Sequence, residues 1–272
     1  MPRDDSGRLS VRKTYKLFIG GAFPRSESGR TYLVDGDNVV LASRKDVRDA
    51  VAAARKAQRG WAGATAYNRG QVLYRVAEMI EARRAEFVAL GVPESEVDAA
   101  IDRWVWYAGW SDKLAQVYGG ANPVAGPFFN LSAPEPTGVV GVVAPASFLG
   151  LVSVVAPAIV TGNTVVVLAV APQVAVTLAE VLATSDVPGG VVNILTGRAA
   201  EIAPWLASHD DVNALDLTGV DDAQLAADLE RSAAGSLKRV VRPQPRDFTA
   251  DPGLQPMTAL VETKTVWHPK GF

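Results

Sequence analysis

Apolar positions dominate the stretch from Thr137 to Val220, where short unbroken runs alternate with segments of helix length. The runs are Thr137-Gly-Val-Val-Gly-Val-Val-Ala-Pro145, Gly162-Asn-Thr-Val-Val-Val-Leu168, Pro188-Gly-Gly-Val-Val-Asn-Ile-Leu-Thr-Gly197 and Leu217-Thr-Gly219. Each reads as a buried strand ending in a turn. Strands alternating with helices imply a parallel sheet covered on both faces, a doubly wound α/β fold. Ligands of such sheets bind outside the carboxyl ends of the strands, so the frame is that of a dinucleotide-binding domain.

The rest of the chain follows the same logic. Residues before Lys16 are polar and read as a loose arm. Leu17–Phe23 predicts a short strand and tight turn, with Tyr32-Leu-Val as its return. Ser43 is placed to cap a helix over 45–59, and Val72, Val76, Met79, Ile80 and Phe87 recur at helical spacing over 68–90. A third helix starts near Pro93, and its Trp104, Trp106, Tyr107 and Trp110 read as core packing in preference to a stacking platform. Phe128–Ala133 and Gly138–Val143 flank a Pro-Glu-Pro-Thr link, which suits an exposed ribbon. Helices are then expected over 147–160, 173–184, 198–208 and 221–232, with strands over 164–168, 191–195, 214–217 and 238–241. After Arg242 a Pro-rich linker leads to a last extended segment, 260–267, whose strand composition demands a partner strand.

Composition narrows the function classes. Twenty-seven Lys and Arg against 29 Asp and Glu leave a net charge of -2, with no basic cluster to hold nucleic acid. The longest apolar run, 148–159, is too short for a bilayer span, and the polar amino terminus suggests a cytoplasmic protein. The 272 residues include no cysteine, which excludes disulfides, thiolate metal sites and a cysteine nucleophile. The two histidines, His209 and His268, have no local partners for catalysis or a metal site.

Several motifs together give the chain a family resemblance. Leu17-Phe-Ile-Gly-Gly, Ala52-Ala-Ala-Arg, Pro136-Thr-Gly-Val-Val-Gly, Ala156-Pro-Ala, Gly162-Asn-Thr-Val-Val-Val, Pro188-Gly-Gly-Val-Val-Asn and Leu237-Lys-Arg-Val occur in the order found in the aldehyde dehydrogenase superfamily. Val261-Glu-Thr-Lys-Thr-Val-Trp267 resembles that family's closing strand. The resemblance implies a thiolate nucleophile, an oxyanion-stabilising amide, a carboxylate base and NAD(P) as hydride acceptor. It also implies where each should lie, and the residues there differ. No cysteine exists to be the nucleophile. The oxyanion Asn corresponds to Ser147, in Pro145-Ala-Ser-Phe-Leu149. The ribose-holding Lys and Glu correspond to Leu168 and Ala171. The pyrophosphate turn is Leu217-Thr218-Gly219-Val220, a following Gly corresponds to Gln224, and the general base corresponds to Pro243.

The resemblance therefore implies a truncated member in which residues 1–124 and 145–245 form a vestigial dinucleotide-binding-like domain. Residues 125–144 and 257–268 form an oligomerisation ribbon and strand, and the catalytic domain is absent. The expected function is a catalytically inactive subunit that assembles with a full-length, active aldehyde dehydrogenase paralogue and stabilises or scaffolds it. Phe128, Phe129, Val266 and Trp267 are the candidate interface residues. No cofactor is expected, or NAD(P) only weakly, and neither nucleic acid nor membrane is an expected partner. Two alternatives stay open: an NAD(P)-dependent oxidoreductase with a remodelled or partner-completed site, and a homomeric binding module.

Overall fold

The computed structural model describes residues 7–9 and 11–271. In chain order, β1 (Thr14–Tyr15), β2 (Thr31–Val34) and β3 (Asp37–Val40) form a small sheet of order β1-β3-β2. Helices α1 (Arg44–Gly63), α2 (Ala66–Ala82), α3 (Arg84–Ala89), α4 (Glu94–Trp110) and α5 (Leu114–Tyr118) follow. Next come β4 (Gly120–Ala121), β5 (Phe128–Pro136), β6 (Val139–Val143), α6 (Phe148–Val160), β7 (Thr164–Ala169) and α7 (Pro172–Leu182). The chain continues with β8 (Val192–Thr196), α8 (Ala199–Ala207), β9 (Ala214–Asp216), α9 (Ala223–Ala234), β10 (Arg239–Val241), α10 (Gln255–Thr258) and β11 (Val261–Pro269).

Five parallel strands in the order β10-β9-β6-β7-β8 carry the core. Their residues alternate between two apolar layers, as the pleat requires. Val140, Val142, Val165, Val167, Val192 and Ile194 pack under α2, α4, α6 and α7. Val139, Val143, Val166, Leu168, Leu195 and Leu215 pack under α1, α8 and α9. This is the doubly wound α/β fold that the alternation predicts. Trp104 and Tyr107 are fully buried, and Trp106 and Trp110 pack against the same core, as expected for a helix face.

Local chemistry sets several boundaries. Ser43 precedes α1, and the Asp46 carboxylate reaches back to accept from Ser43 N and Ser43 Oγ, both at 2.7 Å. Such reciprocal capping satisfies amide groups that the helix itself leaves without partners. The helix expected over 68–90 is broken into α2 and α3. Arg83 leaves helical geometry at φ -111°, ψ 14°, and Phe87 of α3 stacks on Phe148 of α6 at 4.4 Å.

Three expectations are corrected. First, Gly138–Val143 is not part of an exposed ribbon: β6 is fully buried in the middle of the parallel sheet. A five-residue run with no polar position suits a strand covered on both faces. Second, Leu17–Phe23 does not pair with Tyr32; Phe18 exchanges backbone bonds with Ile194 of β8, while β2 pairs with β3. Third, the end of the polar arm is ordered, since Thr14 and Tyr15 pair with Asn38 and Val39; residues 1–6 and 10 lie outside the described residues. The closing segment finds its partner strand within the chain: β11 runs antiparallel to β5 along nine residues, from Val261 opposite Pro136 to Pro269 opposite Phe128. Among the described residues, no helix is long and apolar enough to cross a membrane.

Candidate functional site

Strands β9, β6 and β7 are neighbours, so the turns at their carboxyl ends lie along one edge of the sheet. Ser147, Leu168, Ala171, Thr218, Gly219, Val220 and Gln224 all fall on or just beyond those ends. Ser147 is exposed and caps α6, its Oγ accepting from Gly150 N at 3.1 Å. Leu149 N, in the same first turn, donates to Glu96 Oε1 from α4 at 2.9 Å. Both of these first-turn donors are therefore engaged, one of them by a carboxylate.

The other positions are equally defined. Leu168 is fully buried in the layer under α1, α8 and α9. Ala171 stands where α7 begins and offers no side-chain cap. Asp222 caps α9, its Oδ1 accepting from Gln224 N at 2.8 Å and Leu225 N at 3.2 Å. The exposed Gln224 side chain donates to Asp228 Oδ1 at 3.1 Å.

Asp216, at the end of β9, escapes the sequence reading. Its Oδ1 accepts from Thr218 N at 2.9 Å and from the Thr218 hydroxyl, closing an Asx turn. Burial pushes the Asp216 carboxyl above the ordinary carboxylate range, and the two bonds from Thr218 oppose that shift. The Asp-Leu-Thr spacing was the available signal, because an Asp two residues before a turn amide is the usual donor–acceptor arrangement of such turns.

The segment after Arg242, expected to be a plain linker, is fastened down. Arg103 of α4, largely buried, donates through Nη2 to Phe248 O at 2.7 Å and Ala250 O at 3.0 Å. Phe248 packs against the core beside Gly150, where an added Cβ would lie 3.2 Å from its ring. Between this segment and the ends of β9 and β10 lies a cleft of about 270 Å³, lined by Thr218, Arg242, Gln244, Arg246 and Gln255 among others. Replacing Arg103 with Leu removes the donor to both carbonyls; losing charge-assisted bonds from a buried site costs about 2 kcal/mol. Arg103→Leu is expected to open residues 243–254 to limited proteolysis at protease levels that leave the wild type uncut; unchanged digestion would refute the fastening role.

The candidate interface residues lie elsewhere, on the sheet of order β11-β5-β4. Phe128, Phe129, Val266 and Trp267 are 38–58% exposed, and Phe128 meets Trp267 edge to face at 5.9 Å. Leu131, directly opposite Val266, is similarly exposed and was missed in the sequence. Its signal was its spacing from Phe129, two residues apart on one strand face. His209 Nδ1 accepts from Asp211 N, while His268 lies opposite Phe129. Among the described residues, no group of three or more His, Cys, Asp or Glu side chains could hold a metal.

Known proteins share this architecture. Residues 36–242 match the aldehyde dehydrogenase family. The mitochondrial aldehyde dehydrogenase of Rattus norvegicus is 36% identical over 222 residues, which cover 74% of this chain and 41% of that enzyme. The alpha-ketoglutaric semialdehyde dehydrogenase of Bacillus subtilis is 34% identical, with 78% and 47% covered. An aldehyde dehydrogenase from Bacillus cereus, solved as its NAD+ complex, superposes with a TM-score of 0.77 at 27% identity, covering 84% of this chain and 50% of that one. The chain spans half or less of the length of these relatives. With all five strands of its parallel sheet inside the matched region, this chain belongs to the aldehyde dehydrogenase family.

Proposed function

We propose that this chain is a catalytically inactive aldehyde dehydrogenase-like subunit, which assembles with a full-length active aldehyde dehydrogenase and stabilises or scaffolds it. The observation that carries the reading is the exposed apolar patch on one face of the β5–β11 pair, outside the parallel core. Directly opposed residues of an antiparallel pair share a face. Phe129, Leu131 and Val266 therefore line one face of the β5–β11 pair, and all three are about half exposed. Asn130 and Ser132 turn the other way, where Asn122 Nδ2 donates to both at 2.6 and 2.7 Å. Among the described residues β11 has one neighbouring strand only, so its outer edge presents backbone donors and acceptors to a partner. An edge and an apolar face together suit association with another sheet.

The crevice at the strand ends supports inactivity. The sequence has no thiol to attack an aldehyde, and Pro243 stands where the resemblance asks for a carboxylate base. For NAD(P), the residues fit poorly. Leu168 and Ala171 offer no polar group to a ribose, and the Asp222 carboxylate already takes two amides at the start of α9. A cofactor phosphate would have to displace that carboxylate or sit beside its charge. The alternative, an NAD(P)-dependent oxidoreductase with a remodelled or partner-completed site, draws on the open cleft beside Thr218.

The test is to purify the tagged chain from its native cells, determine the mass of the intact complex and identify its components. A stoichiometric full-length aldehyde dehydrogenase is the expected companion. A monomer or homo-oligomer would overturn the assembly reading. Equilibrium binding of NAD+ and NADP+ separates the two readings, since the inactive subunit is expected to show little or no saturable binding at cellular cofactor concentrations.

A further inference from the structure

The small amino-terminal sheet has one face that is polar except for Val40, which joins the core layer under α1. Thr14 lies beside Asn38 across the parallel β1–β3 pair, and Thr31 lies beside Val40 across the antiparallel β2–β3 pair. Registered residues share a face, and Asn38 and Val40 are two apart, so Thr14, Asn38, Val40 and Thr31 form one surface. Tyr15, Val39 and Tyr32 form the other surface and pack with Val176 of α7. The polar face is the floor of a cleft of about 330 Å³, whose wall is the loop carrying Arg25 and Arg30.

That loop is held in place from beneath. Ser26 is buried and lines the cleft; its Oγ donates to Asp46 Oδ2 at 2.7 Å, the same carboxylate that caps α1. Ser28 N donates back to Ser26 Oγ at 3.3 Å and Gly29 N to Ser26 O at 3.0 Å. The turn bearing both arginines is thus tied to the end of a long helix. Among the described residues, no Asp or Glu lines the cleft. Glu27, between the two arginines, is ion-paired with Lys45, and Asp46 beneath the loop accepts from Ser26 and Ser43. Among the described residues, neither Arg25 nor Arg30 has an ion-pair partner.

We propose that this cleft binds the phosphate group of a small molecule. A phosphate monoester carries a charge of about -1.5 to -2 near neutral pH, which two unpaired guanidiniums match and one carboxylate would not. Each guanidinium can bind two phosphate oxygens in parallel. Thr14, Thr31 and Asn38 supply hydroxyl and amide groups for the remaining oxygens and for the rest of the ligand. The cleft belongs to a different sheet from the exposed β5–β11 pair, so this proposal stands or falls independently of the assembly reading.

Calorimetric titration of the full chain with inorganic phosphate and with phenyl phosphate tests it, with acetate and chloride at matched ionic strength as comparators. Saturable binding of both phosphates, and not of acetate or chloride, is the expected result. Arg25→Gln and Arg30→Gln should each weaken it on the order of tenfold, as loss of a charge-assisted bond does. Both side chains are exposed and unpaired, so the melting temperature without ligand should not change. Equal heats for wild type and the Arg25→Gln/Arg30→Gln double variant would overturn the proposal. So would acetate binding as tightly as phosphate.

Discussion

Gly219→Ala should destabilise the fold by about 3 kcal/mol, the upper end for a group forced into space already filled. A Cβ at Gly219 would overlap the Ala144 carbonyl and lie 2.6 Å from Pro145 N. These are backbone atoms at the end of β6, and Gly219 N donates to Val143 O at 2.9 Å, so neither side can retreat without breaking the join. With a urea slope of roughly 3 kcal/mol per molar, the unfolding midpoint should fall by about 1 M. Gly60→Ala is the matched comparison. Gly60 lies in α1 with open space around its would-be Cβ, and alanine there should add about 0.5–1 kcal/mol through helix propensity. A wild-type midpoint for Gly219→Ala would show that the close approach is not a constraint. The point bears on function, because Thr218 and Gly219 sit where the family resemblance places a pyrophosphate turn. Packing of β9 against the end of β6, with Asp216 holding Thr218, accounts for both residues without a nucleotide.

What could be read from the sequence divides along a physical line. The alternation of apolar runs and helix-length segments from Thr137 onward marks the positions of the parallel strands, because most of their residues are apolar and buried on both faces. The vestigial positions come from the family resemblance and not from the pattern itself; they lie at or after the carboxyl ends of β6, β7 and β9. The reading failed where long-range contacts decide. Pro134-Glu-Pro136 looks like the middle of a ribbon, yet it is the exit of β5, and the next residues cross into the central strand β6. Phe18 chooses Ile194, far along the chain, over the nearby Tyr32. Residues 243–254 have the composition of a loose linker, but Arg103 supplies donors for their carbonyls from α4. No local signal announces a bond across that sequence distance. The polar cleft under Arg25 and Arg30 was hidden for the same reason, since its floor comes from three strands whose pairing joins parallel and antiparallel neighbours.

Exchanging Leu131 and Val266 for threonine should weaken binding of the proposed aldehyde dehydrogenase partner about 100-fold while leaving this chain folded. The two side chains face each other across the β5–β11 pair and present a joint apolar surface to solvent. Threonine keeps the branched shape that strands favour, so the pair itself persists. Both positions are half exposed in the isolated chain, which limits the cost to its own stability to within about 0.5 kcal/mol. In a complex the same atoms would be removed from water, where burial of a leucine or valine is worth roughly 1.5–3 kcal/mol each. Two such losses, partly offset by residual contact, correspond to about two orders of magnitude in affinity. Affinity measured by interferometry, alongside the urea midpoint of the isolated chain, separates the outcomes. Weaker binding with an unchanged midpoint places the partner on the Phe129, Leu131 and Val266 face. Unchanged affinity would remove that face from the interface, and a complex, if one forms, would then have to use another surface such as the outer edge of β11.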